Sequence, residues 1–459
     1  MSTPTTRPAG ASGGPRAACL GPAGITGPLG RRLLDIKDAG AVLEGAVSTG
    51  YRQVWIGPSV LSLLGLPPSF EVPTSHEATR YKYGIAHPWA GAARAAGWTL
   101  STEPAGLSPW VGFSRGDQVV DVVVAPWDQD NPFGAAETAP ELLGALELYA
   151  AQLGLRYRRS PGASGLALMR AVHSGRGGIA LPETGTPAPP AVAGIDSEAV
   201  GSWLSPTEPE GEWLHGWDLN GMYLAACSSA ELGFGEAVHH PRAHVAGREF
   251  NEPGRAGYWR ATIDGTSSLP LPFKADGKLH WYTAPTLELA GELGLVVRLR
   301  ECWVYPERRR WLEPWYARLR DARTALMADP SPAGRLALEA VKATYTRTLG
   351  RLAGHWLEVG DATFRPDWRD VVITRARANM HRHLRKATAA PMAISADAVV
   401  FSSPHEDPAD AGQALGLEVG AQLGKWKHTG RLPRARWHRK AYRSKSTAIR
   451  ALLDALEPV

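Results

Sequence analysis

Asp218 has the surroundings of a residue that binds a metal ion. It lies in the stretch Trp217–Ala226 of this 459-residue chain, where an expected strand runs into an Asn-Gly turn and then into an apolar helix start. A carboxylate there can ligate a divalent cation through oxygen, and Tyr223 is placed to line a pocket beside it. An Asp before an Asn-Gly turn is more often a turn or cap residue. The stretch by itself therefore leaves both roles open.

Asp397 is the second candidate ligand. The segment 392–401 predicts a strand, a turn and a strand, with Asp397 at the tip of the hairpin. Such an Asp usually serves the turn, but it would meet Asp218 if the two strands were adjacent. Nucleotidyl transfer uses two cations about 3.5–4 Å apart, one lowering the pKa of the 3′-hydroxyl and one neutralising the pyrophosphate. Asp218 and Asp397 would form such a catalytic and metal-binding pair if their carboxylates lay within about 8 Å of each other, and the turn role stays open at this stage.

Two expected helices, Leu312–Met327 and Gly334–Leu349, carry cations that suit a triphosphate. Their apolar residues recur at helical spacing, and prolines separate them. Helices joined by a short loop usually pair antiparallel, so Arg323 and Lys342 are expected to face the aspartates across a cleft. There they would stabilise charge on the phosphates. The alternative is that both are solvated surface charges.

The C-terminal region carries a run of positive charge. From Val419 to Leu453 the sequence has ten Lys or Arg and no Asp or Glu. Cations interleaved with aromatic residues suit a phosphate backbone and stacked bases. The run therefore predicts DNA binding, and the alternative is a solvated basic tail. Its cations are Lys425, Lys427, Arg431, Arg434, Arg436, Arg439, Lys440, Arg443, Lys445 and Arg450, and its aromatic residues include Trp426, Trp437 and Tyr442.

Length and composition indicate a soluble protein of two or three domains. The chain is 44% hydrophobic and 21% charged, and no apolar run approaches the roughly 18 residues of a membrane span. Residues 1–30 are rich in Gly, Pro, Ser and Thr and lack the apolar core of a signal peptide, so they are expected to be a disordered tail. The three cysteines form neither a zinc pattern nor a disulfide frame, which favours the cytoplasm.

The first half of the chain predicts an α/β domain. Gln118–Ala125 is a strand by its β-branched residues, and Glu141–Leu153 is a helix by its apolar spacing. Asp121, Asp128 and Asp130 near the strand suggest a nuclease-like domain, which needs several carboxylates around two cations. No convincing Asp-x-Glu lies in a strand here. We therefore expect that this domain does not cut nucleic acid.

In their order along the chain, these stretches resemble the polymerase module of the family B DNA polymerases, especially the protein-primed branch. Asp218–Tyr223 is similar to the first motif, Asp-x-Asn-Ser-Leu-Tyr, whose Asp binds both metals and whose Tyr packs under the sugar. Lys342–Gly350 is similar to the fingers motif Lys-x-x-x-Asn-Ser-x-Tyr-Gly, whose Lys holds the triphosphate. Arg323 matches the other triphosphate-binding cation, and Asp397 matches the second Asp of Asp-Thr-Asp.

The resemblance spans residues 215–445 and has departures. Lys440-Ala-Tyr442 is similar to the later Lys-x-Tyr that contacts the primer and template backbone, and Gly424–Lys427 precedes it in the expected place. Each of the three motifs has lost a member of the family pattern. The replacements are Gly221 for a Ser, Thr346 and Leu349 for the fingers Asn and Tyr, and Ser395 for the first Asp of the third motif.

The resemblance implies a mixed α/β (α+β) fold: an N-terminal α/β exonuclease-like domain without a clear active site, then an antiparallel-sheet palm with helical-hairpin fingers. The expected division is a tail (1–30), an N-terminal domain (31–174), a linker (175–215), the first part of the palm (216–310), the fingers (311–352), the second part of the palm (353–445) and a C-terminal helix (446–459).

Two functions follow from the resemblance. The first is a DNA polymerase that uses Mg²⁺ or Mn²⁺ and deoxynucleoside triphosphates in replication of a mobile or linear genetic element, with a terminal or priming protein as a further partner and no membrane. Tyr223, Arg323 and Lys342 would bind the nucleotide, and the DNA-binding residues would be Lys425, Lys427, Arg436, Lys440 and Tyr442. The second is a polymerase-fold protein that has lost catalysis and serves as a DNA-binding replication or telomere accessory factor. Retention of both aspartates favours the first, and the altered fingers motif favours the second.

Overall fold

The chain forms two compact units, each of which combines helices with sheets. The computed structural model describes residues 16–66, 68, 89–100, 110–128, 131–158, 160–174, 180–181, 192, 202–243, 255–354, 361–437 and 444–458. One unit is Met1–Gly175 with Arg318–Thr348, and the other is Arg176–Ala317 with Leu349–Val459. The expected mixed α/β class is confirmed. Within the described ranges, no helix has both the length and the apolar character needed to cross a membrane.

The first unit is built on a seven-stranded sheet. Its elements are β1 (Ala17–Gly21), β2 (Gly24–Gly27), β3 (Gly30–Leu33), α1 (Ala39–Thr49), β4 (Gln53–Ile56), α2 (Pro58–Leu61), α3 (Trp89–Ala95), β5 (Thr99–Leu100), β6 (Trp110–Arg115), β7 (Gln118–Val124), α4 (Ala139–Leu153) and α5 (Pro161–Ser174). The strand order is β3-β2-β1-β4-β7-β6-β5, with β1, β4 and β7 parallel to one another. Every residue of β4 is buried, as expected for a parallel strand covered on both faces. The strand and helix predicted around residues 118–125 and 141–153 are confirmed as β7 and α4.

The expected disordered tail over residues 1–30 is wrong from residue 17 onwards. β1 pairs parallel with β4 and antiparallel with β2, and Cys19 and Leu20 are fully buried. The glycines that suggested disorder instead allow tight turns in the sheet. Gly24 has a φ of 140°, and a Cβ there would lie 2.1 Å from the carbonyl oxygen of Arg32. Residues 1–15 lie outside the described residues.

The second unit is built from antiparallel sheets and packed helices. Its elements begin with β8 (Ser202–Leu204), β9 (Trp213–Leu219), α6 (Met222–Cys227), β10 (Leu232–Phe234), β11 (Val238–His240), β12 (Gly257–Asp264), β13 (Asp276–Thr283), α7 (Ala284–Glu292), β14 (Val296–Val304) and β15 (Glu307–Arg309). The helices α8 (Glu313–Met327) and α9 (Pro332–Arg351) follow, and each passes from one unit to the other. The remaining elements are α10 (Pro366–Leu384), β16 (Ala393–Ser395), β17 (Ala398–Ser403), α11 (Pro408–Ala414), β18 (Trp426–Pro433) and α12 (Lys445–Asp454).

The second unit contains a five-stranded sheet with the order β18-β9-β17-β16-β8 and a four-stranded sheet with the order β11-β14-β12-β13. The linker expected over residues 175–215 is therefore wrong at its C-terminal end, because β8 pairs with β16 and β9 begins at Trp213. β8 has only three residues, which is too short to show the alternation that identifies a strand. Most of residues 175–201 lie outside the described residues.

The two long helices bury the faces that the sequence indicates. The predicted apolar stripe of α8 is confirmed, since none of its members is more than 1% exposed: Leu312, Trp315, Leu319, Ala322 and Leu326. On α9, Val341 and Tyr345 are buried, whereas Leu338 is only half-buried. Thr344 of α9 shares a hydrogen bond of 2.9 Å with the hydroxyl of Tyr149 on α4, inside the first unit. Antiparallel pairing of α8 with α9 stays a prediction.

Candidate active site

β9 positions Asp218 between two neighbouring strands. Asp218 lies opposite Ala398 of β17 and opposite Lys427 of β18. Because side chains alternate along a strand, Asp218 and Trp217 point to opposite faces of the sheet. Trp217 is only 1% exposed. A shift of one residue would expose this indole and bury the carboxylate, so the apolar face fixes the register that presents Asp218.

The β16–β17 hairpin brings Asp397 to the end of β9. Ser395 pairs with Ala398, which leaves Ala396 and Asp397 as a two-residue turn. The backbone N–H of Leu219 donates to the carbonyl of Asp397 at 3.2 Å. Ala396 has a φ of 53° and is the one residue other than glycine with a positive φ in the described part of the chain. This left-handed conformation costs about 1–2 kcal/mol for such a residue, and strain of this kind is often found at functional sites.

The carboxyl groups of Asp218 and Asp397 form a hydrogen bond with each other. The expected proximity of the two side chains is thereby confirmed. Burial, and next the charge of Asp397, raise the pKa of Asp218 from 3.8 to about 6, although Lys427 acts in the opposite direction. Burial also raises the pKa of Asp397, which the hydrogen bond from Asp218 lowers in turn. Burial therefore favours the protonated form of this pair.

This pair has the chemistry of a magnesium site. Two carboxyl groups this close together present oxygen atoms that a divalent cation can bind. Mg²⁺ in such sites usually has one or two carboxylate ligands and completes its shell with waters and substrate phosphates. Among the described residues no group of three or more His, Cys, Asp or Glu is arranged to hold a metal. A site at Asp218 and Asp397 would thus rely on these two side chains, water and substrate.

Asn220 fastens the turn after β9 to the loop before β18. Its side-chain amide donates to the carbonyl of Gly420 at 2.7 Å, and its backbone N–H donates to the carbonyl of Lys425 at 3.0 Å. Sequence reasoning assigned no role to Asn220, although its place directly after Asp218 is the signal. Gly221 follows with a φ of 53°, a conformation that a Ser would adopt only with strain. This explains the glycine at that place in the motif. Tyr223 lies half-buried in the first turn of α6.

The basic run is paired with carboxylates from outside it. Lys425 forms an ion pair with Glu418, Arg431 with Glu406 at 3.0 Å, and Arg436 with Glu457 at 2.5 Å. Exposed pairs of this kind contribute roughly 0–1 kcal/mol, so a phosphate can replace the carboxylate at little cost. Lys427 lies directly opposite Asp218. Lys440 and Tyr442 lie outside the described residues.

The predicted triphosphate-binding cations belong to the first unit. Arg323 is only 6% exposed, and Lys342 forms an ion pair with Glu339 of its own helix at 2.7 Å. Their approach to Asp218 and Asp397 stays a prediction. The carboxylates considered for a nuclease site also lie in this unit: Asp121 on β7 opposite Gln53, Asp128 after that strand, and Asp130, which is outside the described residues.

Stability should report metal binding at the carboxylate pair. The pKa of Asp218 in the folded protein, about 6, exceeds its ordinary value of 3.8. Between these values the folded state holds a proton that the unfolded state has lost, so metal-free stability falls as the pH rises through this window. Asp218→Asn should therefore raise the melting temperature of the metal-free protein at pH 8 and change it little at pH 4.

The same measurement tests the cation itself. Because the ion competes with the proton, millimolar Mg²⁺ should raise the melting temperature of the wild type more at pH 8 than at pH 5. Asp218→Asn should lose this Mg²⁺ response, which thermal unfolding in Mg²⁺ and in EDTA would show. An equal response in both proteins would place the cation elsewhere.

Comparison with known proteins supports the fold. No family model and no curated protein matches the sequence. Among solved structures, phi29 DNA polymerase complexed with primer-template DNA is similar, with a TM-score of 0.51, 10% identity and coverage of 92% of this chain and 85% of that chain. Its ternary complex with incoming nucleotide substrates has a TM-score of 0.47, 10% identity and the same coverage, 92% and 85%. At this identity the likeness concerns the fold alone, which is the polymerase-like α/β fold expected from the sequence.

Proposed function

We propose that the chain is a DNA polymerase that extends a primer by two-metal nucleotidyl transfer, with Mg²⁺ or Mn²⁺ bound between Asp218 and Asp397. The observation that carries the proposal is the hydrogen-bonded pair of partly buried carboxyls, with Asp218 near the end of β9 and Asp397 in the turn just before its partner strand β17. The polymerase-like fold supports it. The setting we propose is replication of a mobile or linear genetic element, with a terminal or priming protein as a partner.

The residues of the site have distinct roles in this proposal. When bound, the two ions would lower the pKa of the primer 3′-hydroxyl and neutralise the departing pyrophosphate. Asp218 and Asp397 hold their positions through the register of β9 with β17 and through the Leu219–Asp397 backbone hydrogen bond. Tyr223 would line the sugar pocket. Arg323 and Lys342 would bind the triphosphate and stabilise its developing charge.

The test is incorporation of labelled deoxynucleotide on a primed DNA template in the presence of Mg²⁺ or Mn²⁺. Product that depends on metal, primer and template is the expected result. DNA binding without any product would favour the second candidate, a DNA-binding protein that has lost catalysis. One observation favours that candidate. Thr346 stands at the fingers position of the family Asn and therefore has no side-chain amide to offer a nucleotide. Its hydroxyl donates to the carbonyl of Lys342 at 3.0 Å.

DNA binding should depend on three cations of the basic run. Replacing Lys425, Lys427 and Arg436 together with Ala should flatten the slope of log affinity against log salt concentration. Each phosphate that the protein neutralises releases counterion, so the slope should change by about one unit for each phosphate that the variant no longer neutralises. Titration of labelled single-stranded or primed oligonucleotide at several salt concentrations measures this slope.

A matched control carries the same change of charge elsewhere in the second unit. Lys278, Arg298 and Arg300 are exposed on β13 and β14, and replacing all three with Ala should leave the slope nearly unchanged. If the first variant keeps the wild-type slope, or the control flattens it equally, the basic run is only a solvated surface.

A further inference from the structure

One face of the five-stranded sheet carries the carboxylate pair at one end and a packed helix at the other. Leu214, Gly216 and Asp218 lie on the same face of β9, because they are two residues apart. The apolar side of α12 packs onto the Leu214 end of this face. The cluster contains Leu204, Leu214, Val400 and Leu432 of the sheet with Ala448, Ile449 and Leu452 of the helix. The face beside Asp218 is therefore the part that α12 leaves uncovered.

Residues 455–458, which we call the C-terminal strap, lie on that remaining part. Arg431 of β18 and Glu457 exchange two backbone hydrogen bonds of 2.9 Å, which adds the strap to the sheet. Leu456 lies over two glycines that face each other across β9 and β18. A Cβ on Gly216 would be 2.4 Å from the Leu456 side chain, and a Cβ on Gly430 would be 2.9 Å from the Glu457 carbonyl oxygen.

The strap lies close to the carboxylate pair. Gly216 precedes Asp218 by two residues, which corresponds to about 7 Å along a strand. This is about the length of one nucleotide in an extended strand. A nucleic acid that runs along this face with its end at Asp218 and Asp397 would meet Leu456 at its second nucleotide.

The charges along this path are those of a phosphate-binding surface. Lys427 lies at the Asp218 end of β18, and Arg436 lies in the turn after that strand. Arg431 pairs with His215, so its side chain lies on the opposite face of the sheet. The carboxylate of Glu457 pairs with the guanidinium of Arg436 at 2.5 Å, and both side chains are more than half exposed, 59% and 57%. A carboxylate on an arginine makes the same charge-assisted hydrogen bonds as a phosphate. The pair of glycines would also let a backbone approach the sheet closely.

We propose that the strap covers the track on which the sugar–phosphate backbone of a DNA primer strand binds, and that the strand must displace it. Glu457 occupies the place of a primer phosphate, and the Leu456 side chain fills the space above Gly216 and Gly430. The inference rests on the proposed function. Two backbone hydrogen bonds, the packing of half-buried Leu456 against the apolar cluster under α12 and the exposed Glu457 ion pair hold the strap. Pro458 has no N–H to extend the pairing.

The test compares a strap variant with a matched control. Leu456→Gly with Glu457→Gln should bind a primed DNA duplex about tenfold more tightly than the wild type, equivalent to about 1.4 kcal/mol. Glu406→Gln removes an equal charge from Arg431, the neighbouring arginine, without touching the strap. This control should change the affinity by at most about twofold. Equal gains in both variants would show a general effect of charge and would overturn the inference.

Amide hydrogen exchange gives a second readout in the unmodified chain. The Glu457 N–H donates to the Arg431 carbonyl and should exchange slowly in the free protein. Saturation with the primed duplex should increase its exchange rate, because the strap leaves the sheet. Duplex binding with this amide still protected would overturn the inference while leaving DNA binding in place. Failure of every variant to bind the duplex would contradict the proposed function itself.

Discussion

Asp218→Ala and Asp397→Ala should each lower the rate of nucleotide incorporation at least about a thousandfold. Either change removes one of the two side chains that would hold the cations, and the cations supply several kcal/mol of transition-state stabilisation. Because the two carboxyls form a hydrogen bond with each other, we expect them to act together in binding the cations. The double variant should consequently be no slower than either single variant. Single-turnover extension of a labelled primer measures all three.

DNA affinity and an unrelated carboxylate provide the controls. In the absence of metal, Asp218→Ala should bind the primed template about as well as the wild type, because it removes negative charge near phosphate. Asp264→Ala removes an exposed carboxylate from β12 in the same unit and should extend the primer at the wild-type rate. Retention of more than about a tenth of the wild-type rate by either pair variant would exclude that residue as a necessary metal ligand.

Asp367→Ala should destabilise the protein by about 3–5 kcal/mol, the cost of leaving a buried charge without its partner. Arg365 is 0% exposed and Asp367 2%. The guanidinium of Arg365 donates to both carboxylate oxygens of Asp367, at 2.9 and 2.6 Å, and also to the carbonyl of Gly233 at 2.5 Å. The guanidinium carbon lies 3.9 Å from the centre of the Trp368 ring. The pair thus fixes the start of α10.

This loss of stability should also weaken the packing of the candidate site, because α10 packs against α6. α6 is the helix that follows Asp218 and Asn220. Urea unfolding with a common m-value measures the free energy of unfolding. The control is Glu292→Ala, which removes the partly exposed partner of Arg382 and should cost no more than about 1 kcal/mol. Similar costs for the two variants would show that the Arg365–Asp367 pair is not the structural anchor described here.

The carboxylate pair could be predicted from the sequence because both of its members are marked locally. Asp218 ends a strand at an Asn-Gly turn, and Asp397 occupies the tip of a two-residue hairpin between β-branched segments. Long segments with strong periodicity, such as β7 and α8, are predictable for the same reason. In each case the information lies within a few residues of the element itself.

The features that the sequence does not reveal depend on residues distant in the chain. β1 is five residues of small and apolar character that form a strand because β4, more than thirty residues later, pairs with it. The basic run contains no acid, yet Glu406, Glu418 and Glu457 pair with it from flanking segments. The strap depends on the pairing of Gly216 with Gly430 as register partners. None of these interactions has a signature in local composition.

Extension of a labelled primer, one templating base at a time, tests the central claim most directly. The wild type, saturated with primed DNA and supplied with Mg²⁺ or Mn²⁺, should add the nucleotide that matches the template, and Asp397→Ala under identical conditions should add none. A wild type that binds the primed DNA and gives no product with either ion, or an Asp397→Ala variant that extends as well as the wild type, would contradict the assignment of Asp218 and Asp397 as the metal-binding pair of a polymerase.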